Sequence, residues 1–504
     1  MSLAASTPVL AASAPAPASL DPADWGAFRG SAHHLLDAVL DHLQGVAAGP
    51  VWQPVSAALD QAMRRPLPLA PTDSAQVARE LAELILPAGV GNTHPRFFGW
   101  VHGAGTPGGV LAELVAAALN ANVGGRDHGA VRVERQVLAW AKAIMGFPPH
   151  SSGLLLSGTS MANLVAIQAA RTARLGPQVR EQGVAATFAQ RFPGARGLAA
   201  YASEAVHGCV PKAFAVSGLG SDTLRLLPTD ASHRLSPQRL EAAIQADRAA
   251  GFVPFLLVGT AGTADIGATD DLAALARIAA QHQLWFHVDG AFGALAILSP
   301  AHRPRLAGIE AADSLAFDFH KWAHVPYDAG CVLIRDERCH RQSFALAPNY
   351  LERATRGTAA GAPWFCDYGP ELSRSARAIK VWATLREQGL ERLGAAIAAN
   401  CDLAQFLGRR LAAQPGFELL APIPLNIVCF RHCPPGLDPE ALDHHNRELA
   451  CDLQESGVAV VSTTRLRGQL ALRAAIVNHR TTASDLDLLV EALVRFGRLR
   501  LARR

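Results

Sequence analysis

Residues 284–291 read Leu-Trp-Phe-His-Val-Asp-Gly-Ala, and residues 314–322 read Ser-Leu-Ala-Phe-Asp-Phe-His-Lys-Trp. Each is a short apolar run that ends on chemistry: Asp289 closes the first, and His320 and Lys321 follow the second. Runs of this length, flanked by small residues, are strand-like, and the stretch 270–283 before the first has helical periodicity. Outward from this pair, apolar runs predict further strands at 154–156, 197–202, 255–258 and 331–334, with 285–288 and 314–317 among them. Helical patterns such as 162–174 separate several of them. Strand–helix alternation predicts an α/β fold with a mostly parallel central sheet and helices on both faces. In such sheets ligands sit at the carboxyl ends of the strands, which is where Asp289 and Lys321 fall.

The flanks suggest further parts. Residues 1–20 are rich in Ala, Pro and Ser, lack the Lys/Arg start of a secretory signal, and read as a disordered leader. An N-terminal helical segment follows over 21–95, broken by Pro-Ala-Gly-Val-Gly at 87–91. The large α/β domain is expected over 96–372. Within it, 350–370 has little periodicity and reads as a long mobile loop of the kind that closes active sites. A small C-terminal α+β domain is expected over 373–504.

Composition narrows the class of function. Of 504 residues, 50% are hydrophobic and 18% charged, with a formal net charge of +3. A balance this near neutral argues against nucleic-acid or membrane-surface partners. No apolar run approaches the ~18 residues of a membrane span. The basic end, 495–504, reads as a solvated helix end. Eight scattered cysteines fit reduced thiols in a cytoplasmic enzyme. Cys429 and Cys433 lack the two further close ligands that zinc would need, so no metal is expected.

Four segments carry chemistry together. Ser157-Gly158-Thr159-Ser160 lies between an apolar run and a helix, where amide groups, the helix dipole and the Thr159 and Ser160 hydroxyls favour a phosphate. His207 follows the 197–202 run and could stack on an aromatic ring or move protons. Asp289 could pair with a pyridine nitrogen, with Ala291 small enough to lie flat against the ring. Lys321 could form a Schiff base once burial favours its neutral form. Each also has an ordinary reading: a hydroxyl cap, a structural histidine, a turn-capping aspartate, a surface lysine. In this order along one alternating chain, they are what pyridoxal 5′-phosphate (PLP) requires.

These stretches resemble the group II PLP-dependent decarboxylases of fold type I, the family of aromatic-L-amino-acid, glutamate and related decarboxylases. The likeness runs from Thr93-His-Pro-Arg-Phe-Phe-Gly to near the C-terminus. It includes Gly262-Thr-Ala-Asp-Ile-Gly-Ala-Thr-Asp, His287-Val-Asp-Gly-Ala, Asp318-Phe-His-Lys-Trp, Asp367-Tyr-Gly-Pro-Glu-Leu-Ser-Arg and Asn426-Ile-Val-Cys-Phe-Arg. The resemblance implies the PLP-dependent transferase fold, decarboxylation of an L-amino acid, and a homodimer with its N-terminal helices wrapped on the partner. It implies that Lys321 carries the cofactor, that Thr159, Ser160, Asp318 and His320 lie at the phosphate, that His207 and Ala291 flank the ring, and that Asp289 pairs with its nitrogen. It places the substrate side chain around Trp100, His102 and Asn122.

There are departures. The family protonates Cα with a loop tyrosine, and ungapped counting puts Phe365 near that position. Phe there is associated with aldehyde-forming oxidative deamination, which stands as the alternative reaction, beside other PLP lyases and aminotransferases. Tyr368 is then the expected acid, with His207 behind it. Ala264 stands where relatives often carry a hydroxyl, and Asp318 where some have Asn. A carboxylate at 318 would have to point away, be protonated or be paired. The polar run Arg126-Asp127-His128 makes a polar or acidic substrate as open as an aromatic one. Finally, Gly103-Ala-Gly-Thr-Pro-Gly108 matches the dinucleotide fingerprint G-x-G-x-x-G, and a nicotinamide-dependent oxidoreductase is the distant alternative. No strand pattern supports it.

Overall fold

In the computed structural model, which describes residues 19–346 and 353–502, twelve strands are found among those residues. They are β1 (Phe97–Phe98), β2 (Ser152–Leu156), β3 (Gly197–Ser203), β4 (Leu224–Leu227), β5 (Phe252–Thr260), β6 (Trp285–Asp289), β7 (Ser314–Asp318), β8 (Gly330–Ile334), β9 (Phe417–Leu419), β10 (Ile427–His432), β11 (Val460–Leu466) and β12 (Gln469–Ala475).

Seven form the large sheet, in the order β2-β8-β7-β6-β5-β3-β4. Strand β8 runs antiparallel to both neighbours and the remaining pairings are parallel. All five residues of β2, β7 and β8 are buried, as a sheet covered on both faces requires. The alternation of side chains sorts them between two cores. Ala199, Tyr201 and Leu257 belong to one, and Leu198, Ala200, Ala202, Leu256 and Val258 to the other. The helix Thr159–Leu175 contributes to both, through Val165 and Ala169 on one side and Ile167 and Ala170 on the other.

The second sheet has the order β1-β11-β12-β10-β9. Strand β1 comes from the stretch that the sequence reading places in the large domain, yet it pairs in parallel with β11, Phe97 against Val460. Two residues are too few for a periodic signal, and their partner is remote. Phe98, Phe430, Leu449, Leu472 and Leu489 form the core behind this sheet.

By internal packing the chain divides into two compact units, one of residues up to 44 with 55–88, the other of 45–54 with 89 onward. In the first, the helices Ala57–Ala62 and Ser74–Glu80 begin at capping side chains, Ser56 and Asp73. The helix Trp25–Gly45 has no buried residue. The leader expected over 1–20 falls almost wholly outside the described residues. So does Tyr350 at the head of the expected mobile loop. Residues 354–358 of that loop are exposed, whereas its later part is packed: Trp364 is buried beneath the guanidinium groups of Arg126 and Arg353, 4.7 and 5.2 Å from its ring, and Arg353 pairs with buried Asp367. No helix among the described residues is long and apolar enough to cross a membrane.

Candidate active site

Strands β2, β6 and β7, the first separated from the other two by β8, deliver functional groups to one end of the large sheet. Strand β2 runs into the turn Ser157–Gly158 and the helix Thr159–Leu175; β6 ends at Asp289; β7 ends at Asp318 and continues as the helical turn Phe319–Trp322. Gly158 and Gly330 let the phosphate-type turn lie against β8, since a Cβ on Gly330 would come within 2.4 Å of Gly158 Cα. The strand ends open on a cavity of about 620 Å³, in the range of small-molecule sites. Ten of the twelve side chains expected from the sequence line it: Trp100, His102, Thr159, Ser160, His207, Asp289, Ala291, Asp318, His320 and Lys321. A larger, mainly apolar groove around Trp140, Leu298 and Leu390 contains none of them.

At the lysine end, Asp318 is 2% exposed. Its Oδ1 accepts the Thr159 N–H at 2.7 Å, and its Oδ2 lies 3.3 Å from Lys321 Nζ and 3.5 Å from His320 Nε2. His320 Nδ1 accepts the Ala329 N–H at 3.0 Å, so a neutral ring carries its proton on Nε2, toward Asp318. Burial holds the His320 pKa below its usual value, against the pull of Asp318. The Gly103–Gly108 run that mimics a dinucleotide fingerprint has a packing role. A Cβ on Gly103 would fall 2.1 Å from the His320 carbonyl oxygen and 2.5 Å from that of Lys321.

At the other end, Asp289 sits in a chain of buried polar groups whose donors all point toward it. Trp285 Nε1 donates to Ser314 Oγ (2.7 Å), Ser314 bonds His287 Nδ1 (2.9 Å), His287 Nε2 bonds Asn163 Oδ1 (2.8 Å), and Asn163 Nδ2 donates to Asp289 Oδ2 (3.0 Å). Burial drives His287 down to about 4, so its ring is neutral and supplies one donor and one acceptor, as this chain needs. Asp289 Oδ1 accepts the Ala291 N–H at 3.1 Å. Burial raises the Asp289 pKa; the Ala291 amide, Lys321 and Asn163 oppose it.

Two expected residues are not brought into the cavity. Asn122 turns its Oδ1 to the amides of Gly124 and Arg374. Tyr368 is buried, with its hydroxyl donating to Glu337 and its ring 5.1 Å from that of His340. Within this chain it does not line the cavity, where the expected acid would lie. Phe365 lies in the core under the Arg374 guanidinium, 5.2 Å away, and does not line the cavity either. The cavity adds residues that sequence reasoning missed: Phe292, Arg473 and Tyr327. The Tyr327 ring stacks on His320 at 4.2 Å and meets His102 edge-on at 5.9 Å. Desolvation, then Asp318, pushes its hydroxyl up to about 12.

The residues fit PLP. Thr159 Oγ1 is buried without a hydrogen-bond partner, beside the first amides of a helix, as a phosphate site would leave it. Asp289 is an acceptor held for a ring N–H, and Lys321 is partly buried in the same cavity.

Comparison with known proteins agrees. The family model described as pyridoxal-dependent decarboxylase conserved domain matches residues 59–433. The aromatic-L-amino-acid decarboxylase of Bacillus atrophaeus is 32% identical over 460 residues, covering 90% of this chain and 92% of that protein. The phenylacetaldehyde synthase of Arabidopsis thaliana is 30% identical, covering 91% and 93%. Among solved structures, Oryza sativa TDC with PLP and tryptamine superposes with a TM-score of 0.84 at 27% identity, covering 95% of this chain and 99% of that one.

Proposed function

This chain belongs to the pyridoxal-dependent decarboxylase family and is a PLP-dependent amino-acid decarboxylase; we propose that its substrate is an L-amino acid with an aromatic side chain. The observation that carries this is the wall facing Lys321. Trp100 and His102 stack at 5.9 Å, His102 stacks on Phe97 at 5.8 Å, and Tyr327 closes the row. The aromatic-L-amino-acid decarboxylase relative supports it.

Arg473 is the arginine at the cavity that would favour an acidic side chain, and its guanidinium is largely committed. Nε donates to the Asp265 carbonyl, Nη2 to that of Ala264, and Nη1 to the Trp100 carbonyl and Ser462 Oγ. With four of its five N–H groups engaged in this way, the arginine braces the wall and has a single donor left to offer a carboxylate.

The chemistry supplied by the cofactor, when bound, is an electron sink for the pair left behind as carbon dioxide departs. Lys321 would anchor it through Nζ. The Thr159 and Ser160 hydroxyls, the helix amides and His320 would hold its phosphate. Asp289, whose burial the donors aimed at it oppose, would pair with the ring nitrogen. Ala291 and His207 would flank the ring. Among the side chains at the cavity, Tyr327 and His207 would be the candidates for carrying a proton to Cα.

We further read the enzyme as a cytoplasmic homodimer. Its cysteines are free thiols. The helix Trp25–Gly45 has no fully buried residue and exposes Trp25 and Phe28, an apolar face of the kind that a second copy of the chain covers. The test of the reaction is to incubate the PLP-loaded enzyme with each common amino acid and quantify amine, carbon dioxide, aldehyde and peroxide. Amine and carbon dioxide in equal amounts from an aromatic substrate are expected. Aldehyde with peroxide would replace decarboxylation by oxidative deamination. Turnover of acidic amino acids alone would overturn the substrate class.

A further inference from the structure

Asp318 makes the contacts that an incoming phosphate needs. Its Oδ1 occupies the Thr159 N–H, the first amide of the helix at the phosphate turn. Its Oδ2 is placed against Lys321 Nζ and His320 Nε2. The carboxylate, nearly fully buried, is thus paired with the lysine that would carry the cofactor. A phosphate entering beside the unpartnered Thr159 hydroxyl brings a second anion to the same donors, while Lys321 becomes committed to the cofactor's aldehyde. Two anions sharing donors in a dry site cannot both stay fully ionised, just as paired carboxylates cannot.

We propose that Asp318 makes cofactor binding proton-coupled: the Asp318–phosphate pair takes up one proton as PLP enters, so affinity for PLP falls as pH rises. The inference rests on the reading that this cavity holds PLP. The groups facing Asp318 leave the pair itself as the place for that proton. On its own turn and loop these are His320, Lys321 and Tyr327; from β8 it is the Cys331 thiol; from the helix at the phosphate turn it is an uncharged amide. Burial holds Cys331 well above its ordinary value and Tyr327 is raised as well, so both already carry their protons. Burial disfavours the charged form of His320. A phosphate monoester loses its second proton at about pH 6, so the dianion that dominates in neutral solution is the form with a proton still to accept.

The experiment titrates cofactor-free, full-length enzyme with PLP, and separately with pyridoxal, in calorimetry buffers of different ionisation enthalpy. Pyridoxal carries the same ring and aldehyde without the phosphate, so protons exchanged at the ring nitrogen or Lys321 are common to both ligands. Wild type is expected to take up about one proton more with PLP than with pyridoxal, and its PLP dissociation constant to rise toward tenfold per pH unit above neutrality. In Asp318→Asn both the excess proton and that slope vanish, and at alkaline pH the variant binds PLP about tenfold more tightly than wild type. Should the variant not fold, the wild-type difference between the two ligands still decides. Equal proton counts for PLP and pyridoxal in wild type would overturn the proposal. So would an excess proton that persists in Asp318→Asn and is lost in His320→Asn, which would place it on the imidazole. Failure of either ligand to bind at all would instead strike the PLP reading of the cavity.

Discussion

Asn163 Nδ2 donates to Asp289 Oδ2 across 3.0 Å, and this bond is the last link of a buried chain that begins at the Trp285 indole. It orients the carboxylate and opposes the burial that raises its pKa. An Asp289 left without it would lose part of its hold on a ring N–H. Asn163→Ala should therefore weaken PLP binding by about 10–100-fold, the usual cost of losing an outer partner of a site group, and lower kcat in the loaded enzyme. Ser314→Ala, two bonds further back, should do the same to a smaller extent. Cofactor titration followed by absorbance and steady-state rates measures both. An Asn163→Ala enzyme with wild-type affinity and rate would make the chain a packing feature only.

A buried imidazole without partners gives the protein an acid-sensitive point. His324 is 2% exposed, 4.8 Å from the His479 ring, with neither ring nitrogen hydrogen-bonded. Burial first, then His479 and Arg480, push it down to about 3. The folded value lies below the ordinary 6.5, so the contribution of its neutral form is complete above 6.5. It is lost as pH falls toward 3, at about 1.4 kcal/mol per pH unit, because the unfolded chain binds the proton first. His324→Leu removes both the slope and the orphaned nitrogens. It should be no less stable than wild type near neutrality and gain about 2 kcal/mol relative to it near pH 5. Thermal denaturation at several pH values tests this; parallel curves for the two proteins would refute it.

The two ends of the site are legible for one reason: strand periodicity is short-range, and a polar or charged residue after an apolar run of strand length can be located without knowing what lies beside it. Asp289, Lys321 and Thr159–Ser160 were all found in this way. Asn163 was not, although it sits one helical turn beyond Thr159, because its partner lies 126 residues on. The same holds for β1, whose two residues pair with β11, and for β4, an edge strand with only Leu224 buried. The Gly103–Gly108 run resembles a phosphate loop because close packing on the Lys321 turn also demands residues without a Cβ. Tyr368 was favoured by its place near the expected loop, but the hydrogen bond to Glu337 and the contact with His340 turn it elsewhere.

That difference between tyrosines gives a paired test. Tyr327 lines the cavity with a hydroxyl whose pKa burial raises to about 12, whereas Tyr368 does not line it. If Tyr327 serves the proton step at Cα, Tyr327→Phe should lower kcat about 100-fold or more, in the range of a lost general acid, with a smaller change in KM. Tyr368→Phe should leave kcat within about twofold and cost about 1 kcal/mol of stability through its lost bond to Glu337. The reverse pattern would return Tyr368 to the reaction.

The phosphate turn depends in the same way on a pair behind it. Arg374 and Glu134 are both fully buried, and Arg374 Nη1 reaches Glu134 Oε2 at 3.2 Å while Nη2 bonds Oε1. Both also grip β2: Arg374 Nη2 donates to the Leu155 carbonyl at 2.6 Å, and the Leu155 N–H donates to Glu134 Oε1 at 3.2 Å. Leu155 is two residues from Ser157, so whatever loosens this pair loosens the turn that would hold phosphate. Arg374→Met strands a buried carboxylate and should cost about 3–5 kcal/mol. Adding Glu134→Leu removes the stranded charge and should recover most of that loss, because a buried ion pair replaced by apolar groups is often close to neutral. Recovery stays incomplete, since the Val123 and Leu155 carbonyls lose the donors that Arg374 supplies. Urea denaturation of the single and double variants gives the coupling. PLP affinity measured alongside should fall in Arg374→Met and return in the double variant. Additive losses would mean that the two side chains act separately and that the turn is held by β2 alone.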